Sequence, residues 1–396
     1  MSKIFCYALN MRKAACLTLL MFMLMPATIF AAVPTAVNIN SKTSLLMEAE
    51  TGKILYESGA HDRLAPASVT KVMTMLLIYE ALEQNRIGWD QMVTVSSHAA
   101  SMGGSQIFLE PEELQSVRDL VKSIVIASAN DASVAMAEFI AGSEEAFVQM
   151  MNKKAEELGM TNTHFINSCG LDADGHLTTA HDIALMSREL ITKHPEVFEY
   201  TKTRLDKIVH KTRRGEEEFG LTNTNRLIRS YPGATGLKTG STGEALFCIS
   251  ATAEKDGMSL IAVVLGAPDP TTRFDSAIKL FDYGYANYAI SAQDEEGTPK
   301  GEIIIYKGKV ESAQAVIKDR QNVLVPKGKN IVVESEVQLM NSVSAPVAKN
   351  AKVGEIIYTL EGNEVKRGDL IIPVDIEKAE MQDIMKRVFS RWLMRA

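Results

Sequence analysis

The apolar pattern of this chain changes character near residue 289, and that break constrains the fold more than any other feature. From residue 37 to about 288, apolar runs of strand length alternate with long helical segments. Such a stretch predicts a mixed α/β (α+β) domain, an antiparallel sheet flanked by helices. Beyond the break come short β-type runs: Ile303-Ile304-Ile305-Tyr306, Val323-Leu324-Val325, Ile331-Val332-Val333, Ile356-Ile357-Tyr358 and Ile371-Ile372. Punctuated by Gly and Pro, they predict a small all-β domain over 289–376, a sandwich or barrel. The polar connector Gln293-Asp294-Glu295-Glu296-Gly297-Thr298-Pro299 opens it. This half carries no constellation of nucleophile, base or metal ligands and reads as a spacer or stalk.

In the first half, Glu50-Thr51-Gly52 sits between two strand-like runs as a hairpin turn. Pro66 opens a helix from Ser68 to about Gln84, with Val69, Val72, Met73, Leu76 and Leu77 on one face. A second helix is expected from about Leu114 to Ala127, and a third from Asp131, which puts Ser128 at a helix-to-helix junction. The runs around Lys238, Leu246–Ala251 and Leu260–Leu265 predict antiparallel strands, the first near an edge, closed by a helix over Thr272 to Tyr285.

Both ends carry their own signals. Lys3, Arg12 and Lys13 precede an apolar run from Ala14 to Met25, then Pro26 and the small residues around Ala31 and Ala32. Residues 1–31 therefore read as a cleaved export signal, with an uncleaved anchor as the competing reading. Over 377–396 the apolar residues Met381, Ile384, Met385, Val388, Phe389, Trp392 and Leu393 recur at helical steps, with Lys386, Arg387, Arg391 and Arg395 off that face. A basic amphipathic helix of this kind lies in a membrane interface; the competing reading is a terminal helix docked on its own domain.

Removing the signal takes the formal net charge from −7 to −10, and no basic stripe remains, which argues against nucleic-acid partners. Of four cysteines, only Cys169 and Cys248 stay in the mature chain. They form either a single bridge or two buried thiols, and neither has metal-ligand spacing. The seven histidines do not cluster, so no metal and no cofactor are implied.

Three short strings carry the chemistry: Ser68-Val69-Thr70-Lys71, Ser128-Ala129-Asn130 and Lys238-Thr239-Gly240. A lone Ser-x-x-Lys arises about once by chance in a chain this long, so the ordered triple is the signal. On a helix Ser68 and Lys71 share a face, and a lysine can serve as base if burial and a neighbouring cation lower its pKa. Lys238 is the expected cation and, with the Thr239 hydroxyl, the binder of a substrate carboxylate. Ser128 would pass a proton between Lys71 and a leaving amine, and Asn130 would hold a substrate amide. Gly240 would let substrate backbone approach the strand, and the backbone N–H groups of Ser68 and Ser241 would form an oxyanion hole.

With these strings in place, the chain resembles the serine D-alanyl-D-alanine carboxypeptidases, the low-molecular-mass penicillin-binding proteins. The resemblance rests on Pro66-Ala67-Ser68-Val69-Thr70-Lys71, Ser128-Ala129-Asn130-Asp131-Ala132 and Gly236-Leu237-Lys238-Thr239-Gly240. Gly170-Leu171-Asp172 with Gly175-His176, the β-rich half and the tail add to it. It implies a β-lactamase/transpeptidase-like catalytic domain over 37–288, held on the outer face of the cytoplasmic membrane by the C-terminal helix. It also implies removal of the terminal D-alanine from peptidoglycan pentapeptide stems and acylation by penicillin and other β-lactams. A class A β-lactamase shares the strings but needs a Glu-x-x-Leu-Asn string, whereas this chain reads Phe165-Ile166-Asn167-Ser168-Cys169-Gly170-Leu171-Asp172. The same fold would also serve a DD-endopeptidase or a non-catalytic wall-binding protein.

Overall fold

The structure, a computed structural model, describes residues 37–212, 215–328 and 332–393. The expected export signal lies outside them. Two strands, β1 (Thr43–Glu48) and β2 (Ile54–Ser58), form the expected hairpin. After it, a 3-10 turn over Ala67–Thr70 runs directly into helix α1 (Lys71–Glu83). Further on come α2 (Asn130–Ala141), α3 (Ala180–Lys193), the strands β3 (Ala234–Thr242), β4 (Leu246–Lys255) and β5 (Met258–Ala267), and α4 (Pro270–Asn287).

The five strands make one antiparallel sheet in the order β2–β1–β5–β4–β3. Its residues explain its position. Along β5, Ile261, Val263 and Leu265 point into one apolar cluster, while Leu260, Ala262 and Val264 point into another. A strand whose alternate residues are apolar on both sides must be covered on both faces. Helix α4 covers one face through Phe274, Ala277, Leu280 and Phe281. The other cluster takes in α1, α2 and α3. Helix α1 is buried on all sides, from Val72 through Tyr79, rather than on the single face expected, which is the behaviour of a helix apolar all round. The Ser68-Lys71 pair thus starts a helix that the core immobilises.

The expected helix over Leu114 to Ala127 is shorter. Leu114–Ser116 pairs as a strand with Met92–Thr94, and the helix Val117–Lys122 begins only where the Ser116 hydroxyl accepts from Asp119 N at 3.1 Å. It widens into a π-helical turn, Ser123–Ala127, and stops at Ser128, whose backbone is left-handed at φ 62°. Wide turns and left-handed non-glycine residues cost local energy, about 1–3 kcal/mol for the latter, and concentrate at functional sites. A polar hairpin, Leu205–Thr212 with Gly215–Thr222, lies between α3 and β3.

Past α4, Tyr288–Asp294 pairs with Gln321–Pro326, and six further strands form a separate sheet around Ile303, Ile317, Ile356, Tyr358 and Leu370. Two of its strands, Ser312–Ile317 and Ser342–Ser344, had no counterpart among the expected runs. Ile331 of another expected run lies outside the described residues. A helix spans Met381–Leu393, with Met381, Ile384, Met385, Val388 and Phe389 exposed.

Candidate active site

The 3-10 turn places Ser68 Oγ 3.0 Å from Lys71 Nζ. Lys71 is fully buried, and its amine has two further partners, Asn130 Oδ1 and the Cys169 carbonyl, each at 2.6 Å. Both of these are acceptors only, so each takes one N–H. The third position on nitrogen faces Ser68. In the neutral amine that position is the lone pair, aimed at the serine hydroxyl. Burial pushes the Lys71 pKa down to about 8, against smaller upward pulls from Cys169 and Asp131. The amine is thereby kept close to the point where it can accept a proton.

A second serine–lysine pair faces the first. Lys238, in β3, donates to Ser128 Oγ at 2.7 Å and to the Thr239 carbonyl at 2.9 Å, and it is 1% exposed. Its pKa is also held well below the ordinary lysine value, by burial first and then by the positive charges of Lys71 and Arg273. Thr239 Oγ1 lies 2.7 Å from Thr224 Oγ1. The fold therefore brings Ser68, Lys71, Ser128, Asn130, Lys238 and Thr239 together from a helix start, a helix junction and an edge strand.

Several contacts differ from expectation. Of the two expected causes of a lowered Lys71 pKa, burial is the one that acts, and the Lys238 cation is not among the causes. Ser128 bonds Lys238 rather than Lys71. Asn130 has both ends of its amide engaged, Oδ1 with Lys71 and Nδ2 with the Gly103 carbonyl at 2.7 Å, so serving a substrate amide would require release from that loop. At Gly240 the close approach is made by the protein itself: a Cβ there would stand 2.8 Å from Ser68 N and 3.0 Å from Val69 N. The missing side chain lets strand β3 lie against the nucleophile turn, beside exposed Ser241.

Sequence reasoning gave no role to the groups that hold this arrangement. Asp131, fully buried, accepts from the backbone N–H of Ile107, Leu109 and Ala132 and ties the 105–109 loop to α2. Asn167 Oδ1 accepts from Gly170 N at 2.6 Å and caps the loop that carries the Cys169 carbonyl. Gly170, at φ 87°, has no room for a side chain, because a Cβ would lie 2.0 Å from the Ala67 carbonyl oxygen. Arg273, buried beside β3, donates to the Gly240 carbonyl at 3.2 Å and lies over the Phe274 ring. Its position four residues into α4 carried no motif that could have announced it. Cys169 and Cys248 are separate buried thiols. Among the described residues no cluster of His, Cys, Asp and Glu could hold a metal.

Comparison with known proteins shows what the whole chain is similar to. Residues 30–269 match the family model described as D-alanyl-D-alanine carboxypeptidase, and residues 294–378 match the penicillin-binding protein 5 C-terminal domain. The D-alanyl-D-alanine carboxypeptidase DacF of Bacillus subtilis (strain 168) is 42% identical over 353 residues, covering 89% of this chain and 90% of that protein. DacC of Escherichia coli (strain K12), of the same description, is 33% identical and covers 98% of both chains. The crystal structure of penicillin binding protein 5 from Haemophilus influenzae superposes with a TM-score of 0.70 at 30% identity, covering 87% of this chain and 99% of that one.

Proposed function

Because this chain belongs to the D-alanyl-D-alanine carboxypeptidase family, we propose that Ser68 is its nucleophile, Lys71 the base and Ser128 the group that returns the proton. The enzyme is a serine-type peptidase that removes the terminal D-alanine from peptidoglycan stem peptides and binds penicillin. One observation carries the residue assignment: two carbonyl-type oxygens occupy the Lys71 amine and leave its remaining valence aimed at Ser68 Oγ, 3.0 Å away.

Neutral Lys71 takes the Ser68 proton as Oγ attacks the carbonyl carbon of the penultimate D-alanine. The backbone N–H groups of Ser68 and Ser241 receive the developing oxyanion, and the missing Cβ of Gly240 lets strand β3 lie against the turn that carries Ser68. The C–N bond breaks as Ser128 Oγ gives its proton to the departing amine and takes up the proton held by Lys71, so D-alanine leaves an ester on Ser68 and Lys71 is neutral again. Water attacks that ester with Lys71 again as base. Lys238 and the Thr239 hydroxyl bind the terminal carboxylate, and Asn130 keeps the Lys71 amine in register. A β-lactam follows the same first step, but its leaving amine stays tethered, so the ester persists. Incubation with a labelled penicillin and with diacetyl-Lys-D-Ala-D-Ala tests the assignment: one adduct on Ser68 and released D-alanine are expected, and either one persisting in Ser68→Ala overturns it.

The same reading places the enzyme on the extracytoplasmic face of the cytoplasmic membrane, with residues 1–31 as its export signal and 37–288 as the catalytic domain. The five exposed apolar residues of Met381–Leu393 support attachment to a lipid surface, although no described helix is long and apolar enough to cross a membrane. Arg387 also donates to the Gly308 and Lys309 carbonyls, which joins the helix to the β-rich domain. Full-length protein should co-sediment with anionic vesicles, and a chain truncated after Glu380 should not; equal binding of both would remove the helix from the account.

A further inference from the structure

We propose that His176 is a positioning residue for acylation: its imidazole ties the helix bearing Ser68 and Lys71 to the loop whose carbonyl holds the Lys71 amine. The inference rests on Lys71 being the base. His176 is buried, and its ring bridges two segments. Its Nδ1 accepts from Ile166 N–H at 3.0 Å. The backbone can only donate there, so in the neutral ring the proton sits on Nε2 and is given to Thr70 Oγ1, 2.8 Å away.

Both ends of that bridge matter to the amine. Thr70 directly precedes Lys71, where the 3-10 turn passes into α1. Ile166 leads into the loop Asn167–Leu171, in which the Cys169 carbonyl accepts from Lys71. A second tie runs parallel, from Thr74 Oγ1 to the Ser168 carbonyl at 2.5 Å. The two ties, together with Gly170 pressed against the Ala67 carbonyl, hold the carbonyl partner of Lys71 at a fixed distance from the helix that carries Lys71. Without the imidazole, the Ile166 N–H and the Thr70 hydroxyl both lose a buried partner, and the loop is free to draw the carbonyl away and admit water to the amine.

The bridge works only with a neutral ring, since a second N–H on Nδ1 would face the Ile166 donor. Burial pushes the His176 pKa down to about 4, with His164 adding to the fall and Asp172 opposing it, so one tautomer persists through the working range. The Phe165 ring packs edge-on against the imidazole, with ring centres 5.9 Å apart.

The test compares labelled-penicillin acylation rates across pH 6 to 10 for the full chain, His176→Leu, His176→Gln and Thr70→Val. Glutamine can accept from Ile166 and donate to Thr70; leucine can do neither. His176→Leu should acylate at least about tenfold more slowly, because small misplacements of catalytic groups carry large kinetic penalties. Its pH midpoint should move upward from that of the unmodified enzyme as water reaches Lys71. His176→Gln should recover most of the rate and the midpoint, and Thr70→Val should shift the midpoint in the same direction as leucine. A folded His176→Leu with unchanged rate and midpoint overturns the proposal, as does Thr70→Val with an unchanged midpoint should leucine prevent folding. An unmodified chain that forms no Ser68 adduct overturns the function reading together with this one, whereas a normal adduct with indifferent variants overturns this one alone.

Discussion

The two halves of the molecule treat charge in opposite ways. Before residue 288 the interior holds Lys71, Lys238, Asp131 and Arg273, all 8% exposed or less. Beyond it, among the described residues, the only buried polar side chain is Gln321. The charged residues of the β-rich half pair at the surface instead, Lys352 with Glu355 and Asp369, and Arg367 with Glu355 and Glu364. A buried charge is expensive unless every polar atom around it is matched, so it persists where chemistry needs a shifted pKa and is absent where only packing is needed. The contrast separates the half that holds the candidate site from the β-rich half.

The largest effect should come from emptying the first half of its base. Lys71→Ala is expected to cut penicillin acylation by about 10²–10⁴-fold, the usual share of a general base, measured as the rate of adduct formation. Retention of the normal rate would leave the buried amine without a task. Lys238→Ala should come next, and unevenly. Turnover of peptides with a free terminal carboxylate should fall more than turnover of the same peptides as C-terminal amides, a difference that equal losses on both substrates would erase.

A smaller effect follows from pH. The folded-state pKa of Lys71 is lowered from 10.5 to about 8, so the neutral, competent amine becomes dominant only above that pH. Acylation should rise roughly tenfold from pH 7 to its plateau, one pKa unit corresponding to about 1.4 kcal/mol between protonation states. A profile flat between pH 7 and 9 would contradict the assignment. The smallest effect is expected in the other half. Arg367→Ala breaks two exposed ion pairs and should leave both acylation and peptide turnover at the starting level, because such pairs contribute little.

The same contrast explains what could be read from the sequence. The three strings named the six side chains that meet in the cleft, since Ser-x-x-Lys spacing, a helix junction and a strand each leave a local trace. The groups that hold them stand in the quoted strings, but nothing local to those strings gave their roles. Asp131, Asn167 and Gly170 act by accepting from, or yielding space to, backbone that is distant in sequence or folded into a loop. Asn130 was read for the substrate because its partner Lys71 is 59 positions away, and nothing in the string says that the amide is already engaged. In the β-rich half the longest strands were legible from their Ile and Val runs. Ser312–Ile317 and Ser342–Ser344, short and partly polar, were not. The paired strands Leu205–Thr212 and Gly215–Thr222 were missed for a similar reason, since most of their residues face solvent and their alternation carries little apolar signal.

The most direct test of the central claim is intact-protein mass spectrometry after incubation with penicillin, run beside an assay for D-alanine released from diacetyl-Lys-D-Ala-D-Ala. The unmodified chain should gain the mass of one penicillin, located by peptide mapping to Ser68, and should release D-alanine. Ser68→Ala should do neither. An adduct located at any other residue, or D-alanine release that survives Ser68→Ala, would contradict the reading of the Ser68–Lys71 pair as the reacting centre.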